Sequence, residues 1–438
     1  MMNYSQSARS FHLPAPLLGL GLVRLTALLT VILQYSYVFM YNHAPESARL
    51  IVVGVLLVIH ISLAVVALAK KGEPWQTAIL TSISLTLICW MIAHGYQVTT
   101  TELTASEGFR NIIIFVMPLW LLAFPEYLPH RLLIAMALIS IVVGGMIAFG
   151  GPPVYVSGTP RLASITGGLT QMHPSAKFIA LQLVIVHQYY YARMVDRRLA
   201  IPCMAFAAII LFFYGGRNEA VFVLSYFCVL LYYKYMANAA IKWSPISIIL
   251  LAIVFGAVAL YFGENVNKWG SGRIGVWHHR LGLIWSRDLL TFLFGGGLGA
   301  DQIWNPQWWW MEDVTAHNDF LHITMETGVI GLIAVFIFIG ALLVRLPGNS
   351  KAIVVAMISE SLFSNGQFQS PMLSLSYFLL ASLSIYCWQR RSAEKEYAVA
   401  EKRQAQGFLR QSKHAGGLSF QRGGPREIDP GNRKPRRD

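Results

Sequence analysis

Charge is scarce in this sequence: Asp, Glu, Lys and Arg make up only 13% of its 438 residues, about half the share of a soluble globule. With 55% of the chain hydrophobic, an ordinary water-solvated domain is excluded. Acidic residues are the scarcer sign, 21 against 34 Lys and Arg, which leaves a net charge of +13. Cysteine is rare as well. Cys89, Cys203, Cys228 and Cys387 fall within or at the ends of apolar runs, spaced neither as metal ligands nor as a disulfide framework, and read as packing residues. No Gly-rich stretch ends in the Gly-Lys-Ser/Thr of a nucleotide P-loop, which excludes that kind of ATP site. The first apolar run has Arg9 ahead of it but no small-residue cleavage site behind it, so a retained anchor is expected rather than a removed signal peptide. No internal repeat is evident that would argue for an inverted-repeat transporter.

What fills the chain instead is a series of apolar runs of about 20 residues, each long enough at 1.5 Å per residue to cross a hydrocarbon core of about 30 Å. The runs are continuous rather than alternating, which selects helices over the strands of a barrel. Twelve spans are expected, at 17–40, 50–69, 75–93, 111–124, 132–149, 175–192, 199–214, 219–236, 243–262, 318–344, 352–365 and 371–388. The fold class is therefore an all-α polytopic transmembrane bundle of about 12 helices. Residues 1–16 precede the membrane domain of 17–388, and 263–316 form a large loop subdomain between the ninth and tenth helices. Arg24, inside the first span, can snorkel to the near interface.

Basic residues set the orientation. Lys70 and Lys71, Arg131, Arg193, Arg197 and Arg198, Lys242, and Arg345 with Lys351 fall on alternate short connections and mark the cytoplasmic side. An even number of spans then puts both termini inside, with 95–110, 150–174 and 263–316 outside. From Gln389 to Asp438 the chain holds thirteen Lys and Arg against six Asp and Glu, an excess of seven positive charges. That composition predicts a disordered basic tail against anionic lipid, favoured over a nucleic-acid role.

Ionisable groups beside membrane spans persist where they pair, line a cavity or do chemistry, and here they gather on the outer side. Arg217 stands in Gly215-Gly216-Arg217-Asn218-Glu219 at a helix end, and Arg161 and His173 in the second outer segment. In the large loop, Arg273, Arg280 and Arg287 recur every seven residues and form one stripe on an amphipathic helix, with Trp277, Leu281 and Ile284 as an apolar side that could dip into the acyl boundary. Arg273 is read as functional; for Arg280 and Arg287, lipid phosphates or a substrate are open alternatives. The turn from Phe294 to Asp301 carries four glycines and reads either as a hinge or as an anion-binding nest of backbone amides. Seven of the twelve tryptophans lie in this loop, at 269, 277, 285, 304 and 308–310, where membrane anchoring is favoured over sugar stacking.

After the loop, His317 and Asn318 sit where a helix begins, so Asn318 is placed to cap it and the positive dipole end faces outward. Asp319, His322 and Glu326 continue as a polar stripe whose spacing matches no strong zinc signature. An imidazole with an ordinary pKa near 6.5 is the best general base among these groups. In the eleventh span, Ser359, Glu360, Ser361, Ser364 and Asn365 break the apolar rule, either as interhelical packing or with Glu360 facing a cavity.

Taken together these residues resemble the O-antigen ligase and polymerase superfamily, polytopic glycosyltransferases. His317-Asn318, nine residues, Gly328, two residues and Gly331 reproduce its His-Asn-x9-Gly-x2-Gly motif. Arg161 with the run to His173-Pro174, Gly216-Arg217, Ser271-Gly272-Arg273 with Trp277, and the Gly295–Gly299 turn follow in family order; the first five spans match only in hydropathy. The resemblance implies a metal-independent, cofactor-free enzyme of the bacterial inner membrane that acts at the periplasmic face. Its donor would be an undecaprenyl-diphosphate-linked glycan, and its acceptor either lipid A-core (ligase) or a second lipid-linked glycan (polymerase). By analogy, His317, Arg273 and Arg217 are catalytic, and Arg161, His173, Arg280, Asn318 and Glu360 bind substrate. Of the two branches, the complete histidine motif favours the ligase type. A secondary transporter or lipid-linked sugar flippase would also have about twelve spans, but would set its charges near the bilayer midplane on broken helices.

Overall fold

The computed structural model describes residues 125–156, 159–165, 172–235, 272–297, 299–304, 315–346, 350–363 and 371–416, with part of a helix between residues 24 and 35. The expected spans at 50–69, 75–93, 111–124 and 243–262, and most of 17–40, lie outside the described residues. In chain order come α1 (His130–Gly150), a hairpin of β1 (Val154–Val156) and β2 (Thr159–Arg161), α2 (Met172–Tyr191), α3 (Arg197–Tyr214), α4 (Arg217–Tyr235), α5 (Arg273–Trp285), α6 (Leu289–Phe294), α7 (Asp319–Arg345), α8 (Ser350–Ser361) and α9 (Pro371–Gly416). Among the described residues the fold is helical except for the hairpin, which pairs Val154 with Arg161 and Val156 with Thr159. That exception to an all-α chain has a local cause, since Val154-Tyr155-Val156 is β-branched and aromatic and runs into Ser157-Gly158.

Helix α2 is the axis of the packing. Every residue from Ser175 to Val186 is buried, with α1, α3 and α4 against it. A helix enclosed on all sides has no water for its polar groups, so each needs a protein partner. Ser175 Oγ accepts the Ile165 N–H at 3.0 Å, and Gln182 Oε1 accepts the Tyr35 hydroxyl at 2.6 Å. Farther along, the Gln188 amide donates to the Tyr226 hydroxyl.

Among the described residues three helices, α1, α3 and α7, are long and apolar enough to cross a membrane. Their uncovered faces carry Ile139, Met146, Phe212, Phe213, Phe336 and Ile337, a surface suited to lipid. The α7 stretch of 26 residues is about 39 Å long, some six residues more than a core of about 30 Å requires. Asp319 and His322 fall within its first six residues, and Glu326 is its eighth. The helix breaks just beyond them, at Gly328, whose φ of 68° and ψ of −171° are not helical.

A second compact unit runs from Gln389 to Asp438. Disorder is expected there from composition, yet residues 389–416 are helical. Ala, Glu, Lys, Arg and Gln are all strong helix formers, and Arg390 pairs with Glu394 one turn on, at 3.5 Å.

Candidate functional site

Four helix ends meet at one place: the starts of α2, α4 and α7 and the end of α8. The contacts that join them are specific. Arg273, the first residue of α5, donates from Nη1 to Asn218 Oδ1 at 3.0 Å and to the Phe363 carbonyl at 2.5 Å. Asn318 caps α7 by accepting the Phe320 and Leu321 N–H groups, and its amide donates to the Leu362 carbonyl at 2.9 Å. Arg273 and Asn318 thus bond to adjacent carbonyls just past α8, where the negative end of a helix dipole favours donors and cations. Asn218 follows Arg217, and Asn318 follows His317, so motifs scattered along the chain arrive at one locus.

Beneath them lies a buried group of charges. Lys177 Nζ and Glu360 Oε1 are 2.5 Å apart with side chains 8% and 2% exposed. Glu219 and Asp319 lie within Coulombic reach of that pair. Glu219 also folds back over Gly216, where a β-carbon would collide with its carboxylate.

The loop subdomain is locked onto the first part of α7. Arg280 is fully buried; its Nε donates to Asp301 Oδ1 at 2.8 Å and its Nη2 to the carbonyls of Asp301 and Ile303. The other Asp301 oxygen accepts the Ala316 N–H at 2.8 Å and lies 3.1 Å from His322 Nδ1. His322 Nε2 is 3.4 Å from Glu326 Oε2, and Glu326 Oε1 accepts the Gly299 N–H at 2.8 Å. A buried charge is tolerable when it is paired, and each charged group here has an oppositely charged neighbour, with hydrogen bonds at every link except the His322–Glu326 contact.

The glycine turn has a definite backbone task. Gly296 and Gly297 donate to the Met325 and Glu326 carbonyls at 2.8 and 3.0 Å, which the break at Gly328 releases from helix bonding. Gly295 and Gly328, with φ of 83° and 68°, lie so close that a β-carbon on either would strike the other's backbone. Both the left-handed φ and the close approach demand glycine. Arg287 Nη1 adds a second bond to the Met325 carbonyl, at 2.8 Å. Burial pushes the Arg287 guanidinium below its usual range, and the carboxylates of Asp301 and Asp288 oppose that shift. Asp288 caps α6; bonds from the Thr291 hydroxyl and from the Thr291 and Leu290 amides hold its carboxyl below its ordinary value.

Several sequence expectations are revised by this arrangement. Only Arg273 and Arg280 lie on α5, which ends at Trp285, with Arg287 in the turn beyond it; all three guanidiniums turn inward, onto Asn218 and Phe363, Asp301, and Met325, because carbonyl or carboxylate oxygens lie there. Of Trp277, Leu281 and Ile284, expected to dip into lipid, the first and last are buried and Leu281 is half-buried; the exposed large apolar side chains among the described loop residues are Trp285, Leu289, Leu290 and Trp304. The amides of Gly296, Gly297 and Gly299 serve α7 and Glu326, so the nest for an external anion is replaced by a lock. Arg280 and Glu360, expected to contact substrate, are sealed and paired within the chain, and act as struts around the site. Arg161 closes the hairpin, His173 lies in the first turn of α2, and Arg217 opens α4. Among the described residues no cluster of three His, Cys, Asp or Glu is placed to hold a metal ion.

Sequence reasoning passes over Lys177 and Asp301. A lone lysine near the start of the apolar run 175–192 is itself a signal, since an ionisable group there requires a partner. Asp301 carried no such mark, as the last residue of a glycine-rich turn. Comparison with protein-family models and with curated proteins finds no match for this chain.

Proposed function

We propose that the chain is a membrane glycosyltransferase of the O-antigen ligase type. It moves a glycan from undecaprenyl diphosphate to an acceptor hydroxyl on lipid A-core at the periplasmic face of the inner membrane. The observation that carries this reading is the convergence of Arg273, the Arg217-Asn218 start of α4 and the His317-Asn318 start of α7 on the end of α8. In the reaction, the acceptor oxygen attacks the anomeric carbon, the bond from that carbon to the phosphate oxygen breaks, and the diphosphate leaves with the electron pair. Arg273 and Arg217 stabilise the departing diphosphate, a task suited to a planar, permanently charged fork of donors. The α4 N-terminus adds its partial positive charge. His317 takes the hydroxyl proton, a contribution of about 10²- to 10⁴-fold. Basic residues on the alternate connections support the orientation, with both termini in the cytoplasm.

A deletion strain tests the proposal through its surface-polysaccharide ladder. Long chains left off the core are expected, restored by the wild-type gene but by neither His317→Ala nor Arg273→Ala, although both variants insert in the membrane. Short single-repeat chains would point to a polymerase instead, and full restoration by His317→Ala would remove the proposed base.

One rival has an observation of its own. The break in α7 at Gly328 and the buried Lys177–Glu360 pair are features that an ion-coupled transporter or lipid-linked sugar flippase would use. Glycan transfer by purified protein in detergent, where no gradient exists, excludes transport as the sole activity.

A further inference from the structure

His317 has a φ of 49°, the left-handed region that a side chain with a β-carbon occupies only at a cost. Such strain persists where the surroundings over-determine it, and the residues on both sides of His317 are pinned. Ala316, immediately before it, donates its N–H to Asp301 Oδ2 at 2.8 Å and accepts the Trp277 indole N–H on its carbonyl, also at 2.8 Å. Asn318, immediately after it, is held by the two α7 amides that it caps and by the Leu362 carbonyl. Asp301 is in turn fixed by Arg280 and faces His322, and it is fully buried. Two separate parts of the chain, at Trp277 and Asp301, therefore converge on two consecutive peptide groups, and a third, at Leu362, holds the Asn318 side chain that follows. Capping α7 requires only Asn318, so helix formation leaves the double grip on Ala316 unexplained.

We infer that Asp301 and Trp277 are positioning residues that clamp the Ala316 peptide and so hold His317 in its left-handed turn, with its imidazole aimed at the acceptor hydroxyl before substrate arrives. The catalytic half of this inference rests on the proposed role of His317 as base; the clamp itself does not. A base held in place before reaction avoids the loss that a misplacement of about 1 Å imposes, which can reach 100-fold.

The test uses the full chain, purified in detergent, with two variants. Asp301→Asn keeps the shape but turns an amide N–H toward Ala316 or toward Arg280. Trp277→Phe keeps a ring beside Phe363 and removes the indole donor together with part of the ring volume, and as an apolar replacement it guards against a misfolded first variant. Amide hydrogen exchange over residues 315–321 is expected to quicken by about tenfold in Trp277→Phe and by more in Asp301→Asn, as the loss of one or more hydrogen bonds implies. Transfer from an undecaprenyl-diphosphate-linked oligosaccharide to lipid A-core should show kcat reduced by about 10- to 100-fold, with the donor KM changed less than about threefold. Unchanged exchange in the two folded variants would overturn the clamp. Faster exchange with kcat intact, or an equal loss confined to KM, would overturn its positioning role. Because exchange needs no substrate, it decides the clamp even if the wild-type protein transfers nothing, a result that would instead contradict the proposed function.

Discussion

At the residue scale, the pair of Lys177 and Glu360 shows how a charge survives inside an apolar bundle. Its two partners come from helices far apart in sequence, and both are nearly sealed. Lys177→Met leaves Glu360 beside Glu219 and Asp319 with no cation in the pair, and should destabilise the fold by roughly 3–5 kcal/mol. Replacing both, as Lys177→Met with Glu360→Met, should recover much of that loss, because the buried charge goes with its partner. Thermal unfolding of the two variants in one detergent checks the order; a double variant less stable than the single one would refute it. The strain at His317 makes a second prediction. His317→Gly should be more stable than His317→Ala by about 1 kcal/mol, since glycine accepts a positive φ without steric cost. Equal stabilities would mean that the turn relaxes when the imidazole is gone. Glu360 stood out in the sequence as an ion within an apolar run, whereas Lys177 was passed over although it carries the same mark. Their pairing was not legible, because contact across the bundle leaves no periodic trace.

At the scale of elements, the lock between the glycine turn and α7 is the joint on which the loop subdomain depends. Gly328→Ala combines a positive φ with a collision against the Leu293 carbonyl and the Gly295 amide, and should destabilise by roughly 2–4 kcal/mol. Thermal unfolding measures it, and a change near zero would mean that the close approach is not maintained. The cap of α6 has a pH signature. Asp288 has its carboxyl pKa lowered in the fold, so its contribution is complete above the unfolded value of about 3.9 and disappears as pH falls through the lower folded value. Exchange protection at Leu290 and Thr291, corrected for the intrinsic rate, should hold flat from about pH 8 to 5 and fall only below about 4; Asp288→Ala should lack it throughout. A drop between pH 7 and 5 would assign the effect to another group. The seven-residue spacing of Arg273, Arg280 and Arg287 predicts one helix face, but α5 ends at Trp285 and leaves Arg287 in the turn beyond it. Periodicity cannot say whether that face meets lipid phosphate or protein carbonyl, and the answer lay in Asp301 and Met325. Likewise, four glycines announce an unusual backbone without naming what approaches it.

At the scale of the whole molecule, the separation of solvents organises everything. Continuous apolar runs at 132–149, 175–192, 199–214, 219–236 and 318–344 coincide within a few residues with α1, α2, α3, α4 and α7, because burial in lipid and burial in protein demand the same composition over the same length. Residues 389–416 are helical where composition led to an expectation of disorder, for the converse reason: low hydrophobicity argues against a packed core but not against a single helix of good helix formers. Polar chemistry collects where four helix ends meet, and the proposed function rests on guanidiniums that would stabilise a departing lipid diphosphate. The most direct measurement is the product balance of the purified protein. Wild-type protein in detergent, with EDTA present and no ion gradient, is mixed with an undecaprenyl-diphosphate-linked oligosaccharide and lipid A-core. One undecaprenyl diphosphate should be released for each glycan joined to the core, with Arg273→Ala slower by at least about 100-fold. Donor left intact by the wild-type protein, or release at the wild-type rate by Arg273→Ala, would contradict the account.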